Sequence, residues 1–419
     1  MAGTDRLPAA ARRFVATVVV GRFGAGLTLP YTLIFLHEVR HMALPTVGAL
    51  LAVPGFVGLV AVPVSGALVD RLGPRRVLVT CQLLQAAACL VIAAATTPLT
   101  VLPGLVLLGL GLGPSFPAGA ALLNGLVAGP DQVQRAFGLN FTALNAAIGT
   151  GALLASAVVD VHRPRTFIVL FLGNAVCQVA GAVLLPQGRV PERVAEKADR
   201  PSYREALADP LLRRICLVSL LLSLAGYASL DSGVPAFARV EGGVEPSAVG
   251  LVFVVNTVTI VSLQLLFLRF LRGRRRSSAL AATGLLWSLS WVLLGAVSVG
   301  SDATRLTALL VYGGLFGVGE MLMAPTLQPL VNALATDRLR GRYNALSGLM
   351  FSICFVIAPA VSGVLIGNGL GRWWLAGLVA MGVVAALVSA RLRGALTDEQ
   401  DGLPSGLDAE GERRLEVVP

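Results

Sequence analysis

Three ionisable side chains interrupt long apolar stretches of the sequence, namely Arg22, Asp231 and Glu320. At the centre of a lipid-facing helix each would cost about 2.5–3.5 kcal/mol, so such residues usually face a water-filled cavity or pair with one another. A carboxyl group that water reaches alternately from the two sides of a membrane could take up a proton on one side and release it on the other. We therefore predict that Glu320, and also Asp231, binds a proton or a cationic group of a substrate, with Arg22 nearby. The alternative is a fixed, buried ion pair that holds the helices together.

Neutral polar side chains occur in the same kind of apolar stretch. Tyr227, Asn140 and Asn145 could donate or accept hydrogen bonds with a substrate, as could Asn256 and Gln264. Polar residues between membrane helices more often bond to neighbouring helices. Both uses are compatible with the sequence.

A possible zinc-binding pattern is formed by His37, Glu38 and His41, which fit H-E-x-x-H with both histidines on one helical face. A third ligand could come from Asp231, which would make the chain an intramembrane zinc protease. This is a remote alternative, because a pattern with three fixed positions also occurs by chance, and a protease explains neither the duplicated halves nor the loop motif described below. We favour a charged helix end at the outer interface.

The composition requires a lipid environment for the segments that carry these residues. The chain has 419 residues, of which 55% are hydrophobic and only 13% charged, and its mean hydropathy is +0.79. Soluble domains carry about 25% charged residues. Many apolar runs reach the roughly 20 residues that a helix needs to cross a bilayer. We therefore predict an all-α membrane protein with twelve transmembrane helices.

Charged and turn-rich breaks divide the twelve predicted spans into two sets of six. We predict an N-terminal six-helix bundle in residues 1–186, a polar cytoplasmic linker in 187–211, a C-terminal bundle in 212–393 and a disordered cytoplasmic tail in 394–419. The halves resemble one another: Pro30 and Pro235 are 205 positions apart, and a proline followed seven residues later by asparagine occurs both at 117–124 and at 325–332. Such duplication is typical of transporters with a central binding site.

The distribution of basic residues predicts the orientation. With the N-terminus inside, the outer loops hold six arginines and Arg22 lies within the first span, so that 26 of the 33 Lys and Arg remain on the inner side. Both termini are then cytoplasmic, in the cell membrane. Because the basic residues lie in loops between apolar runs, the net charge of +10 does not indicate a nucleic-acid partner.

The five cysteines stand singly in apolar runs, without a C-x-x-C pair, and indicate small buried side chains rather than disulfide or metal chemistry; they are Cys81, Cys89, Cys177, Cys216 and Cys354. A G-x-x-x-x-G-K-[ST] phosphate loop is also missing from the sequence. A primary pump that uses ATP is therefore not indicated.

A loop motif follows the second predicted span in the sequence GALVDRLGPRR. It resembles the cytoplasmic loop signature of the major facilitator superfamily, whose residues here are Gly66, Asp70, Arg71, Gly73, Arg75 and Arg76. The resemblance implies a gate: Gly66 allows close packing of helices, and the Asp70 carboxylate sits against the N-terminus of helix 11, where an anion is favoured. The alternative is that the arginines only retain this loop in the cytoplasm.

Further stretches resemble the bacterial drug:proton antiporter branch, including RAFGLNFTALN in helix 5 and GEMLMAPTLQPLV in helix 10. The helix 5 segment IGTGALLAS departs from the exporter signature, which usually ends in a Gly-Pro and Gly-Gly pattern. In this family helices 1, 4, 7 and 10 line the central cavity, and the resemblance implies that Arg22, Asp231 and Glu320 face it.

We therefore predict a secondary transporter rather than an enzyme. It would work as a monomer by alternating access, without a cofactor, with the proton gradient as energy source and a small amphipathic drug or metabolite as exported substrate. Proton-coupled uptake of a nutrient is the alternative, and a nontransporting receptor or scaffold on the same fold is another.

Overall fold

The computed structural model describes residues 7–128, 130–186, 203–271, 273–336 and 338–403. Within these ranges the chain is helical and contains no strand, and twelve of its helices are long and apolar enough to cross a membrane. The chain is thus an all-α, multi-pass membrane protein. Residues 187–202 of the predicted linker and 404–419 of the predicted tail lie outside the described residues.

The twelve membrane helices are numbered in chain order. Those of the first half are α1 Ala9–Val39, α2 Leu44–Leu72, α3 Pro74–Ala94, α4 Pro98–Gly125, α5 Pro130–Val158 and α6 Pro164–Leu184. Those of the second half are α7 Pro210–Val240, α8 Pro246–Leu271, α9 Arg276–Leu294, α10 Asp302–Leu334, α11 Arg340–Gly367 and α12 Gly371–Leu392. A short helix, Tyr203–Ala208, precedes α7.

Proline begins many of these helices, because its fixed φ suits the first turn and its missing N–H is not needed there. The carboxylate of Asp209 accepts a hydrogen bond of 2.8 Å from the Leu211 N–H and caps α7. Between α2 and α3 the chain turns at Gly73, whose φ of +80° lies in the left-handed region that favours glycine.

Two helices are interrupted. In α1 the regular helix ends at Thr28, before Pro30, and the last part, Phe35–Val39, is π-helical. In α7 the stretch Leu224–Ala228 is π-helical around Gly226, whose backbone is not helical. The two interruptions are not at equivalent positions, so the shared proline of the two halves does not by itself determine them.

Each half is a bundle, and the halves meet along two helix pairs. In the first half α1 packs on α5 and α6, and α4 packs on α2 and α3. In the second half α10 packs on α8 and α9, and α12 packs on α9. The most extensive contacts between the halves are those of α2 with α11 and of α5 with α8, and α1 and α7 also touch. We call the side where α1 begins and α12 ends the terminal side, and the other the far side.

Near the far side, α2 and α11 are in backbone contact. A Cβ atom added to Gly48 would lie 2.4 Å from the carbonyl oxygen of Pro359, and one added to Gly55 would lie 2.7 Å from that of Phe355. Contacts this short leave no room for any side chain. The two halves are therefore closed against each other at this end.

Near the terminal side, the same two helices have separated. Gly66 follows Gly48 by five helical turns and lies on the same face of α2. Nothing lies within 4 Å of a Cβ added to Gly66, or to Gly341 and Gly348 on α11. The halves therefore diverge towards the terminal side.

The second pair of helices shows the same pattern. A Cβ on Gly149 of α5 would lie 2.3 Å from Oγ1 of Thr257 in α8, whereas Gly138, closer to the terminal side, has open space. Two independent helix pairs thus show an interior that is closed at the far side and open at the terminal side.

The predicted tail is folded where it is described. Asp401 is fully buried and accepts hydrogen bonds from the backbone N–H and the hydroxyl of Ser277, at 2.7 and 2.8 Å, in the first turn of α9. Arg275 pairs with Asp398 at 2.9 Å. The prediction of disorder is therefore wrong for residues 394–403, because a carboxylate at a helix N-terminus satisfies free N–H groups.

Candidate functional site

Glu320 lies in the middle of α10 and its side chain is only 6% exposed. Its Oε2 accepts a hydrogen bond of 2.5 Å from Nδ2 of Asn256 in α8. The hydroxyl of Tyr227, at the interruption of α7, is within hydrogen-bonding range of the same carboxylate. Three helices of the second half thus converge on one acidic group. Sequence reasoning had left open whether Asn256 bonds to a substrate or to a neighbouring helix, and here it bonds to the carboxylate.

Asp231 lies one helical turn after Tyr227 on α7 and is half-buried. It is close enough to Glu320 and Tyr312 for its charge to act on both. In the described part of the chain it forms no hydrogen bond or ion pair. The second half therefore holds two neighbouring carboxyl groups, one with donors and one without.

Aromatic rings pack against Tyr227. Tyr227 makes edge contacts of 5.9 Å with Trp287 of α9 and with Phe351 of α11. Trp287 stacks on Phe316 at 4.9 Å, and its indole N–H donates to the Phe316 carbonyl. Rings that are fixed in this way hold Tyr227 at the carboxylate.

Trp287 was missed by sequence reasoning because α9 belongs to the helices expected at the periphery. A signal was present in two glycines, Gly226 and Gly319. A Cβ on either one would lie 2.3 Å from an atom of the Trp287 ring. Glycines on separate helices thus mark the place of a large side chain that reaches the site.

Arg22 lies on α1 and is half-buried. It makes no hydrogen bond or ion pair with any residue that the structure describes. Arg22 and Glu320 therefore form no ion pair in this conformation, the acidic pair belongs to the second half alone, and a role for Arg22 stays a prediction.

The amides of the first half are used locally. The side-chain amide of Asn145 donates a hydrogen bond of 2.9 Å to the Phe141 backbone carbonyl. The backbone carbonyl of Asn145 accepts a hydrogen bond of 3.3 Å from the hydroxyl of Thr257 in the other half. Oδ1 of Asn140 is buried without a hydrogen-bond partner, and so is Oε1 of Gln264. Asn145 thus joins α5 to α8, and a substrate role for Asn140 stays a prediction.

The loop motif lies on the open, terminal side. Asp70, Arg71 and Arg76 are exposed, and Asp70 makes no hydrogen bond or ion pair with a described residue. Arg75 is half-buried, with its Nε lacking a partner. The expected close packing at Gly66, and the contact of Asp70 with the start of α11, are both wrong for this conformation because the halves have separated here.

The far side is closed by an ion pair between the halves. Arg239 of α7 binds both carboxylate oxygens of Glu38 in α1, with Nε donating at 2.6 Å to Oε1. A third guanidinium N–H donates to the Val244 carbonyl. We call this pair the far-side latch.

The zinc pattern is not formed as predicted. The helix ends after Val39, His41 has a φ of +55°, and Nδ1 of His37 lies 2.8 Å from the Met42 carbonyl oxygen. The two histidines therefore do not share one helical face, and Glu38 is engaged by Arg239. Among the described residues no group of three or more His, Cys, Asp or Glu is placed to hold a metal.

Comparison with known families gives one match over nearly the whole chain. The sequence model described as Major Facilitator Superfamily matches residues 14–245 and 243–413. The chain is 29% identical over 334 residues to the multidrug resistance protein MdtH of Cronobacter sakazakii, covering 77% of this chain and 79% of that protein. It is 29% identical over 297 residues to MdtH of Shigella flexneri, covering 69% of each.

Solved structures with a similar fold are less similar in sequence. A mutant of the nucleoside transporter NupG has a TM-score of 0.76 at 12% identity, over 91% of this chain and 99% of that one. A D-xylose-proton symporter has a TM-score of 0.69 at 16% identity, over 90% and 96%. A mutant of the peptide transporter POT has a TM-score of 0.72 at 15% identity, over 93% and 94%. At such identities the likeness concerns the fold.

Proposed function

The chain is a member of the major facilitator superfamily, and from this premise we propose that it exports small amphipathic molecules in exchange for protons. It is a membrane transporter and not an enzyme. The proposal of export is supported by the multidrug resistance proteins of similar sequence. The proposal of proton exchange rests on one observation, the buried Glu320 carboxyl in an interior that is open to one side.

Glu320 is suited to exchange a proton for a cationic or hydrogen-bonding substrate group. An ionised carboxylate is costly in a buried site unless donors or a cation satisfy it. Asn256 and Tyr227 supply two donors. A proton or a substrate cation would neutralise the remaining negative charge of the carboxylate, so the two compete for the same oxygens. Asp231 offers a second carboxyl in reach of the same ligand.

The open side is proposed to face the cytoplasm of a cell membrane. This follows from the excess of Lys and Arg on the terminal side, where short cytoplasmic loops retain basic residues. A substrate would enter from the cytoplasm, and the halves would then close at the terminal side and open the far-side latch. Protonation of Glu320 from outside would release the substrate. Since one chain encloses the interior, we propose that a monomer suffices.

Export is tested by a susceptibility and accumulation screen in an efflux-deficient host. We expect lower intracellular compound with the native chain and no such effect with Glu320→Gln, which keeps the shape of the side chain but cannot bind a proton. In everted vesicles, a pH gradient should drive uptake by the native chain only. Asp302→Asn, at the exposed start of the same helix, is the matched control and should behave as the native chain does.

Two results would contradict the proposal. Unchanged proton-driven flux in Glu320→Gln would remove this carboxyl from the mechanism. Higher intracellular compound with the native chain would identify uptake, the alternative from the sequence, instead of export.

A further inference from the structure

A hollow of about 380 Å³ opens between α1 and α5, away from the acidic pair. Its walls are apolar or small: Val19, Val20 and Phe23 from α1, and Ala143, Ala146 and Thr150 from α5. None of Arg22, Asp231 and Glu320 lines it. The hollow is therefore a separate feature from the candidate transport site.

The α1 wall of the hollow faces away from the interior. Gly26 of α1 is in backbone contact with α5, and Gly24 is in contact with α6. At 100° per residue, these two contacts divide the surface of α1 into two sectors. Val20 and Phe23 point into one sector and Arg22 into the other.

The α5 wall indicates which sector meets the bilayer. Ala143, Ala146 and Thr150 share a face with Leu153 and Leu154, which are 47% and 50% exposed. These two leucines lie near the far side, where the halves are closed, so their exposed surface meets lipid. The hollow therefore opens to the hydrocarbon of the membrane.

Basic residues stand at the terminal-side end of the same faces. Arg12 and Arg13 are exposed in the first turn of α1, seven positions before Val19 and Val20, which is two helical turns or about 10 Å. Arg135 is exposed on the matching face of α5. Since half of the hydrocarbon is about 15 Å thick, the hollow lies at the depth of acyl chains whose head groups are level with the arginines.

We propose that this groove binds one anionic phospholipid, with its phosphate at Arg12 and Arg13 and an acyl chain in the hollow. Guanidinium groups bind phosphate oxygens through paired, charge-assisted hydrogen bonds. Basic pockets between membrane helices are suited to anionic head groups. Only the choice of leaflet, the cytoplasmic one, rests on the orientation under the proposed function.

The test measures lipid binding to the full-length protein in neutral detergent by native mass spectrometry. The probes are phosphatidylglycerol and phosphatidylcholine with identical chains. We expect one tightly retained phosphatidylglycerol. The double variant Arg12→Gln with Arg13→Gln should weaken phosphatidylglycerol binding roughly 25-fold, at about fivefold per arginine near an anionic head group. It should weaken phosphatidylcholine binding much less, because the choline cation of that lipid offsets the charge of its phosphate.

Two further variants separate a site from general attraction. Ala146→Leu fills the hollow, keeps the charges, and should weaken the binding of both lipids. Arg213→Gln with Arg214→Gln removes an exposed pair from the equivalent first turns of α7 and should match the native protein.

The proposal is overturned if the control pair weakens binding as much as Arg12 and Arg13, or if Ala146→Leu binds as the native chain does. Because the readout is bound lipid and not flux, its failure is distinguishable from failure of the proposed transport.

Discussion

Asn256 and Tyr227 are the side chains placed to donate hydrogen bonds to the Glu320 carboxylate. Replacing Asn256 by Leu keeps the branched shape of the side chain and removes a donor that lies 2.5 Å from the carboxylate. A hydrogen bond to a charged group contributes about 1.5–3 kcal/mol. We therefore expect proton-driven exchange in vesicles to slow about tenfold or more.

Tyr227→Phe separates the hydroxyl from the ring. It keeps the edge contacts with Trp287 and Phe351 but removes the second donor. We expect loss of exchange with the melting temperature nearly unchanged. Full exchange in both the Asn256 and the Tyr227 variants would show that the donors only hold helices together.

Arg239 joins the two halves at the far side through its hydrogen bonds to Glu38. Arg239→Gln breaks the far-side latch and leaves Glu38 without its cation. We expect the population of molecules with separated far-side ends to rise about tenfold, because charge-assisted bonds are lost from one conformation only. Thiol labelling of Ser156→Cys, at the closed contact beside Gly250, measures it.

Arg305→Gln is the matched control for the latch, since Arg305 pairs with Asp302 in the same helix. Equal labelling in both variants would mean that the latch does not hold the halves.

Sequence reasoning at this scale found the acidic pair but not its surroundings. Charges within apolar runs are recognisable because lipid does not tolerate them. The donors Asn256 and Tyr227 were named without their target, and Trp287 was missed. The reason is that the sequence of a single apolar segment does not determine which other helices it contacts. The pairing of Glu38 with Arg239, 201 positions apart, is hidden for the same reason.

At the scale of the helix, the interruption of α7 depends on a missing side chain. Gly226→Ala would place a Cβ 2.3 Å from the Trp287 ring. Overpacking of this kind costs about 1–3 kcal/mol. We expect a lower melting temperature and reduced transport, because Tyr227 and Asp231 follow directly on the same helix.

Gly377→Ala on α12 is the control for this substitution, as nothing lies within 4 Å of its added Cβ. It should be neutral or slightly stabilising, since alanine favours helix over glycine. An equal loss of stability in both variants would argue against a special role for the interruption.

At the scale of the whole molecule, the open space at Gly66 predicts a separation of stability from activity. A Cβ atom added to Gly66 has nothing within 4 Å in this conformation, so we expect Gly66→Leu to leave the melting temperature nearly unchanged. The terminal side must close during each transport cycle. A leucine at position 66 would prevent α2 and α11 from packing there as closely as they do at Gly48 and Gly55 near the far side. We expect transport to fall at least about tenfold.

The same substitution discriminates between two explanations of the loop motif. Normal transport in Gly66→Leu would mean that the two helices never approach here. The motif would then serve only to retain its arginines in the cytoplasm.

The architecture could be predicted from the sequence, and the conformation could not. Apolar length and the paired prolines in the two halves are enough for twelve spans in two sets. Which side is open depends on the relative orientation of the two folded bundles, and the free energies of such conformations differ by only a few kcal/mol. Gly66 stands in open space in this conformation, so its place at a closing interface stays a prediction, and a glycine is compatible with both an open and a closed interface.

The burial of Asp401 has a practical meaning for anyone who alters the end of the chain. Its carboxylate binds the first turn of α9, so residues beyond α12 belong to the folded body up to this point. A purification tag or reporter that replaces the residues after Arg393 would remove the Asp401 carboxylate from the start of α9 and leave Arg275 without Asp398 and Asp401. Joining it after Leu403 leaves this carboxylate in place.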